Sequence, residues 1–296
     1  FFFLLGTVSF AQDQTVTSYT VAGANTFTAP AGCYYIKVEV WGAGGGGGTS
    51  SGATSWQGSG GGGGGGYSMA NVAVTPYAVY NLYVGTGGPK GATNSSNGTD
   101  GEDSWFNLDV SDATAPTSDA GGILAEGGKG GSYDPAVGSY QPGGDGGAGG
   151  SSANGYGDVK YSGGAGAYGW HGAYGQGGPG GTSAGNGSDG VYNSYGTYNL
   201  VVSQCPAAPD GGGNGGEGGS GQGGLERDGG DGEVPGGGGG GAGAATGSPG
   251  NFGGDGANGK VQITYGTTLE YNYSAPWTAP AGITQVIVEA WGAGGG

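Results

Sequence analysis

Between Gly163 and Gly181 the chain reads GGAGAYGWHGAYGQGGPGG, with glycine at every third place: 163, 166, 169, 172, 175, 178 and 181. The same step recurs at 212, 215, 218, 221 and 224, and again at 247, 250, 253, 256 and 259. A step of three belongs neither to an α-helix, which repeats every 3.6 residues, nor to a strand, which repeats every 2. It fits the left-handed polyproline-II geometry, with three residues per turn, a rise of about 3.1 Å and no internal hydrogen bonds. Each N-H and C=O of such a segment therefore needs a partner on a segment lying alongside or in water. Only glycine lets backbones approach that closely. The spacing predicts a bundle of extended polyglycine-II segments bonded to one another through their backbones. The competing reading is a flexible glycine linker.

Composition helps to choose between them. Of 296 residues 85 are glycine and only 34% are hydrophobic, which is too little for a broad conventional core. Yet 19 are tyrosine and 11% are aromatic, which a disordered linker seldom is. The net charge of −16, from 22 acidic against 6 basic residues, repels phosphate backbones and anionic lipid surfaces and argues against nucleic-acid binding. The acids stand singly among glycines, as at Asp145, Glu217, Asp231 and Asp255. They read first as solubilising groups and second as weak Ca²⁺ sites.

The first residues, FFFLLGTVSFAQ, are apolar and end in Ser9-Phe10-Ala11. Residues 1–11 resemble the tail of a secretory signal peptide, and the stretch is too short to insert across a bilayer. Export would give Cys33 and Cys205 an oxidising setting in which to pair. Against that pairing, a repeat copy carries Ile283 where Cys33 stands. The copy is visible on comparing the ends: Phe27-Thr-Ala-Pro-Ala-Gly and Val38-Glu-Val-Trp-Gly-Ala-Gly44 recur at an offset of 250, as Trp277-Thr-Ala-Pro-Ala-Gly and Val288-Glu-Ala-Trp-Gly-Ala-Gly294. Residues 12–266 thus read as one module, and 267–296 as the start of a second.

Short strands separate from the glycine. Tyr34 to Trp41 alternates with Tyr34, Ile36, Val38 and Val40 on the core face. Ser68–Val74 and Val79–Val84 flank Thr75-Pro76-Tyr77 and read as a hairpin burying Val72, Val74, Leu82 and Val84. Ser104–Leu108, Ile123–Ala125 and Lys260–Tyr265 add further strands. The expected fold is mainly β: a small antiparallel sandwich or jelly-roll-like scaffold, with an inserted polyglycine-II bundle, long coil loops and almost no α-helix. The glycine-rich insertions fall at about 42–66, 127–191 and 210–259. Extended, the run from 163 to 181 would reach roughly 55–60 Å, so it is expected to turn back or protrude.

Phe27-Thr-Ala-Pro-Ala-Gly, the strand ending Val38-Glu-Val-Trp-Gly-Ala-Gly, the 61–66 glycine run before Tyr67 and the closing Gly256-Ala-Asn-Gly-Lys-Val-Gln-Ile-Thr-Tyr265 carry a resemblance. They are similar to the glycine-rich domain family of bacterial surface proteins and phage tail-fibre adhesins. The resemblance implies polyglycine-II helices packed beside β-structure, with connecting loops that touch a receptor. It transfers no catalytic residue. The insertions here, 132–161 above all, are longer and richer in tyrosine.

Catalysis has few candidates. His171 is the lone histidine and sits beside Trp170 in the period-three run, with no nucleophile-elbow pattern. No glycine string ends in Gly-Lys-Ser/Thr, and no carboxylate pair is marked by a cleft. Asp100-Gly-Glu-Asp103 and Glu226-Arg-Asp-Gly-Gly-Asp231 read as solvated turns. The chain is expected not to be an enzyme and to need no cofactor.

Recognition is better supplied. Tyr133, Tyr140, Tyr156, Tyr161, Tyr168, Trp170, Tyr174, Tyr192, Tyr195 and Tyr198 sit among Ser, Asn and Gly, a mixture suited to binding because a tyrosine brings area and a hydroxyl at small entropy cost. With His171 they form the candidate ligand-binding set, and the alternative is packing against the glycine ridges. The expected role is adhesion to glycans or cell-surface receptors, or matrix assembly. A filament subunit binding copies of itself is the rival reading. An ice-binding face is a third, disfavoured because the outward places carry bulky Tyr, Trp and Asp.

Overall fold

The computed structural model describes residues 14–50, 58–93, 95–133, 141–171, 175–185, 188–190, 207–220, 228–243, 251–266, 276 and 278. A five-stranded antiparallel sheet runs in the order β1 (Thr15–Tyr19), β11 (Lys260–Tyr265), β3 (Tyr35–Trp41), β4 (Tyr67–Ala73), β9 (Val159–Tyr161). A four-stranded sheet has β2 (Gly23–Thr28), β5 (Val79–Val84), β6 (Ser104–Asn107) and β7 (Gly122–Ala125). Alternation gives each strand one apolar face, and the two faces meet in a single core. Ile36, Val38, Val40, Val261 and Ile263 from the first sheet pack with Phe27, Leu82, Val84, Phe106 and Ile123 from the second. The mainly-β sandwich expected from the sequence is what forms, and the described residues contain no helix.

One expectation fails. Strands β4 and β5 do not form a hairpin: β4 pairs with β3 and β9, while β5 pairs with β2 and β6. Both are apolar on the side facing the core, so the chain at Thr75-Pro76-Tyr77 crosses from one sheet to the other. Val74, Leu82 and Val84 are still buried, from opposite layers.

The glycine-rich stretches stand on one end of this sandwich. Segment 42–50 shows the rule that governs them. The N-H groups of 42, 45 and 48 donate to 66, 63 and 60; those of 43, 46 and 49 donate to 102, 99 and 96; those of 44, 47 and 50 donate to 257, 254 and 251. Every third amide points to the same neighbour, as a threefold helix requires. Its carbonyls at 43 to 48 accept from three further segments, 85–91, 126–133 and 236–243, which makes six neighbours in all. Segments 58–66 and 236–243 are surrounded in the same way, and the three touch one another.

Around these three inner segments the hydrogen bonds close a ring of nine: 126–133, 96–103, 85–91, 251–259, 228–234, 211–220, 175–185, 162–170, 143–150 and back to 126–133. The segments alternate in direction and come as six pairs that leave the sandwich and return. The run from 163 to 181 contains two of them, antiparallel to each other, as the bridge between Trp170 and Gln176 shows. In the first segment the glycine ridge faces inward, where a Cβ at Gly163, Gly166 or Gly169 would lie 2.1 to 2.2 Å from a carbonyl oxygen of segment 58–66; in the second, Gly178 and Gly181 face the first segment, 2.1 and 2.0 Å from the carbonyl oxygens of Ala167 and Gly164. The 85–103 pair escaped the sequence reading: Gly85, Gly88 and Gly91 keep the step of three, as do Gly98 and Gly101, but each run is short and the two are out of register.

Ring segments lack outer neighbours, and side chains replace them. Asp103, Asp100 and Asn97 accept the N-H groups of Gly127, Gly130 and Tyr133 at 2.9, 2.9 and 3.0 Å. Asn258 and Asp255 do the same for Gly87 and Lys90, and Asp231 and Asp228 for Asp255 and Phe252. The acids repeat every three residues because the amides they satisfy do. Asp100→Ala is expected to lower stability by about 1 kcal/mol in thermal unfolding, while Asp100→Asn, which keeps the acceptor, stays within a few tenths of ~1 kcal/mol of the parent.

Acid will weaken this rim. Glu102 is held below the usual carboxylate range by the Thr86 N-H and the Tyr83 hydroxyl. A depressed carboxyl contributes stability above its unfolded value and loses it as pH falls through the folded one. Urea midpoints measured from pH 6 down to pH 2 should therefore fall, and Glu102→Gln should flatten that fall. Asp103, pushed up by burial, contributes with the opposite sign.

Candidate functional site

The two ends of the module differ in chemistry. At the sandwich end Thr15 pairs with Tyr265, so the first residue of β1 and the last of β11 lie side by side. We call this the tether pole. The opposite, distal pole is the end of the six pairs of glycine segments farthest from the strands.

At the distal rim three neighbouring ring segments end in a small patch of sheet. β8 (Gln141–Pro142) pairs antiparallel with β10 (Trp170–His171), placing Trp170 opposite Pro142 and His171 opposite Gln141. On its other side Trp170 exchanges two backbone hydrogen bonds with Gln176, at 2.7 and 3.1 Å. Trp170 is thus gripped from both flanks and is half-buried. Its indole N-H is buried and has no hydrogen-bond partner. Tyr133 ends the adjacent segment, its backbone fixed by Asn97. Tyr168 lies two residues before Trp170, where the amides of 167 and 169 are both used within the lattice and the residue is half-exposed.

The candidate residues therefore divide. Tyr133, Tyr168, Trp170 and His171 lie toward the distal ends of two ring segments, with segment 143–150 between them. Tyr156 does not: it exchanges backbone bonds with Leu124 at 2.9 and 3.0 Å at the junction with the sandwich. Tyr161 stacks on Tyr67 against the outer face of the five-stranded sheet. Tyr140 and Tyr174, each one residue from a distal one in sequence, lie outside the described residues, as do Tyr192, Tyr195 and Tyr198. Cys33 is a free, buried thiol that donates to the Tyr35 carbonyl at 3.4 Å, and burial pushes its pKa up. Cys205 lies outside the described residues.

Acids singled out in the sequence, Glu217, Asp228 and Asp231, line with Glu233 a groove of about 390 Å³ between segments 211–220 and 228–234. Three of its four carboxylates are engaged: Asp228 and Asp231 hold backbone amides, and Glu233 accepts from the Asn214 amide at 2.7 Å. Among the described residues no group of three or more His, Cys, Asp or Glu is arranged to hold a metal ion, so the weak Ca²⁺ sites considered above find no cage there. No helix of the described residues is long and apolar enough to cross a membrane.

A model of the glycine-rich domain family matches residues 19–266. The chain belongs to this family. The matched span begins at the last residue of β1 and ends one residue past β11, so the glycine-rich domain comprises the sandwich and its bundle together. A search of curated proteins found no match to the chain.

Proposed function

We propose that this glycine-rich domain is a non-catalytic extracellular adhesion module. It binds glycans or cell-surface receptors through aromatic residues at the distal rim of its bundle. The observation that carries the reading is the polarity of the module. Its chain ends meet at one pole, and Tyr133, Tyr168 and Trp170 lie toward the other, at the end of a bundle about 28 Å long. That arrangement suits a rigid arm held at its base. The cross-bonded lattice supports it further, because a site on fixed segments loses little entropy on binding. The apolar residues 1–11 support export, and the acidic surface accords with a neutral ligand.

A glycan array and a cell-binding assay with the full chain test this. Trp170→Ala and Tyr133→Ala are expected to weaken any ligand at least ~10-fold, the loss of about 1.4 kcal/mol that one stacked ring supplies, while Tyr156→Ala leaves it unchanged. Binding that survives both distal changes removes the assignment. Concentration-dependent self-association with no ligand would favour the filament reading instead.

A further inference from the structure

We infer that consecutive copies of this module dock back to back through their tether poles, with their distal ends facing away from each other. The inference does not depend on what the distal rim binds, and a failed glycan screen leaves it standing.

The first ground is the length of the repeat. An offset of 250 carries Thr15, the first residue of β1, onto Tyr265, the last residue of β11. By that offset the sequence leaves no linker between the end of β11 and the position that matches the start of β1. Strand β11 runs toward the tether pole and β1 runs away from it, as their antiparallel pairing shows. The junction thus belongs to the tether pole of both copies, which must lie within a residue or two of each other, on the order of 3.5 Å per residue. A head-to-tail stack, with the distal end of one copy on the base of the next, is out of reach.

The second ground is where apolar surface is exposed. Of the seven exposed large hydrophobics among the described residues, four, Val16, Tyr77, Val79 and Val110, lie at strand ends and turns of the tether pole, while Val21, Val234 and Phe252 lie apart from one another elsewhere. Tyr77 is 72% exposed and has φ of 65°, a left-handed conformation that bulky residues rarely hold. Its N-H donates to the Ala29 carbonyl, and two residues earlier the Thr75 N-H donates to the Tyr80 hydroxyl, so the turn is fixed from both sides. A large ring kept outward on an unfavourable backbone marks a surface that meets something.

The third ground is a contact between copies. The Tyr35 hydroxyl donates to the Thr278 carbonyl at 2.5 Å. Tyr35 opens β3 at the tether pole. Thr278 is the second copy's counterpart of Thr28, which ends β2 opposite Val79, again at the tether pole. The contact is read through the same offset, which makes Thr278 the counterpart of Thr28, and it adds that this residue lies against Tyr35 at the tether pole of the first copy.

The test is the 296-residue chain with residues 15–264 duplicated in frame, studied by small-angle X-ray scattering and electron microscopy. One module measures about 50 Å from pole to pole, from strand and polyglycine-II rises. Docked copies should form a two-lobed particle about 100 Å long, with distal ends outermost and one well-defined shape. Inserting ~15 Gly/Ser residues after Tyr265 should change that length little, since the apolar contact and not the short junction holds the lobes. Tyr77→Asp with Val79→Asp in each copy should loosen the same inserted chain into a broad distribution without moving the melting temperature of the single module. The inference is overturned if the duplicated chain is already flexible, if the insertion alone frees the lobes, or if the charged variant keeps the docked shape.

Discussion

Replacing Gly64 with alanine will disrupt the glycine bundle, whereas Gly121→Ala will leave the protein close to its parent stability. Gly64 lies in inner segment 58–66, where a Cβ would sit 2.0 Å from the Thr182 carbonyl oxygen and 2.3 Å from its carbonyl carbon. Both are backbone atoms and cannot swing aside. Nor can Gly64 retreat, because its N-H donates to Gly164 and its carbonyl accepts from Gly150. Relief on one side breaks bonds on another and leaves buried amides unpaired. The expected cost is about 3 kcal/mol or more, the upper end for overpacking, which for a domain of this size lowers the melting temperature by roughly 6 °C or more. At Gly121 the nearest atom to an added Cβ is 3.5 Å away, an ordinary contact. Equal effects of the two changes would mean that the close lattice does not form. Hydrogen exchange gives a second check: amides of 42–48 and 59–66 should exchange among the slowest in the protein, although almost none belongs to a strand.

The second large effect is alkaline. Tyr67 is fully buried, and its hydroxyl donates to Glu39 at 2.8 Å. Glu39 is itself buried at the centre of the outer face of the five-stranded sheet, with Lys37 at 3.1 Å and the Gln262 amide at 3.2 Å. Burial first, then the Glu39 charge and the hydrogen bond to it, push the Tyr67 phenol far above its usual 10. A phenol whose folded value exceeds its unfolded one contributes stability that is complete below about pH 10 and is lost progressively above it. The protein should therefore weaken steeply above that pH, and Tyr67 should ionise, by ultraviolet difference absorbance, only as the chain unfolds. Tyr67→Phe should cost about 1.5 to 3 kcal/mol at neutral pH, since a bond to a buried carboxylate is lost. The same variant should show a shallower fall above pH 10. If its alkaline profile parallels that of the parent, Tyr67 is not the group responsible.

How much of this was legible in the sequence depended on period. β3 and β11 could be read almost to the residue, because Ile36, Val38 and Val40 alternate cleanly and Lys260–Tyr265 follows a glycine run. The lattice could be read where glycine kept a step of three over many turns, as from 163 to 181, and not between 85 and 103, where the runs 85, 88, 91 and 98, 101 are short and out of register with each other. Sheet membership was hidden: Thr75-Pro76-Tyr77 signals a reversal of chain direction without saying whether the next strand pairs with the last or crosses the core. The acids were misjudged for a related reason. Asp100, Asp103, Asp228 and Asp231 stand three residues apart, yet a carboxylate beside glycine looks like a solubilising group until the amide it satisfies is seen on the neighbouring segment. The aromatic residues were recognised as a set, but not that chain path would send Tyr133 and Trp170 to the distal pole and Tyr156 to the junction with the sandwich.

The six out-and-back pairs also say how such a molecule can change over generations. Because each excursion starts and finishes at the strands, deleting a whole outer loop, or adding one, leaves the strand ends where they were. An odd segment would strand the chain at the wrong end, so length should drift among relatives in steps of two segments. The perimeter is then free to diversify while the three central segments, enclosed on all sides, stay almost pure glycine.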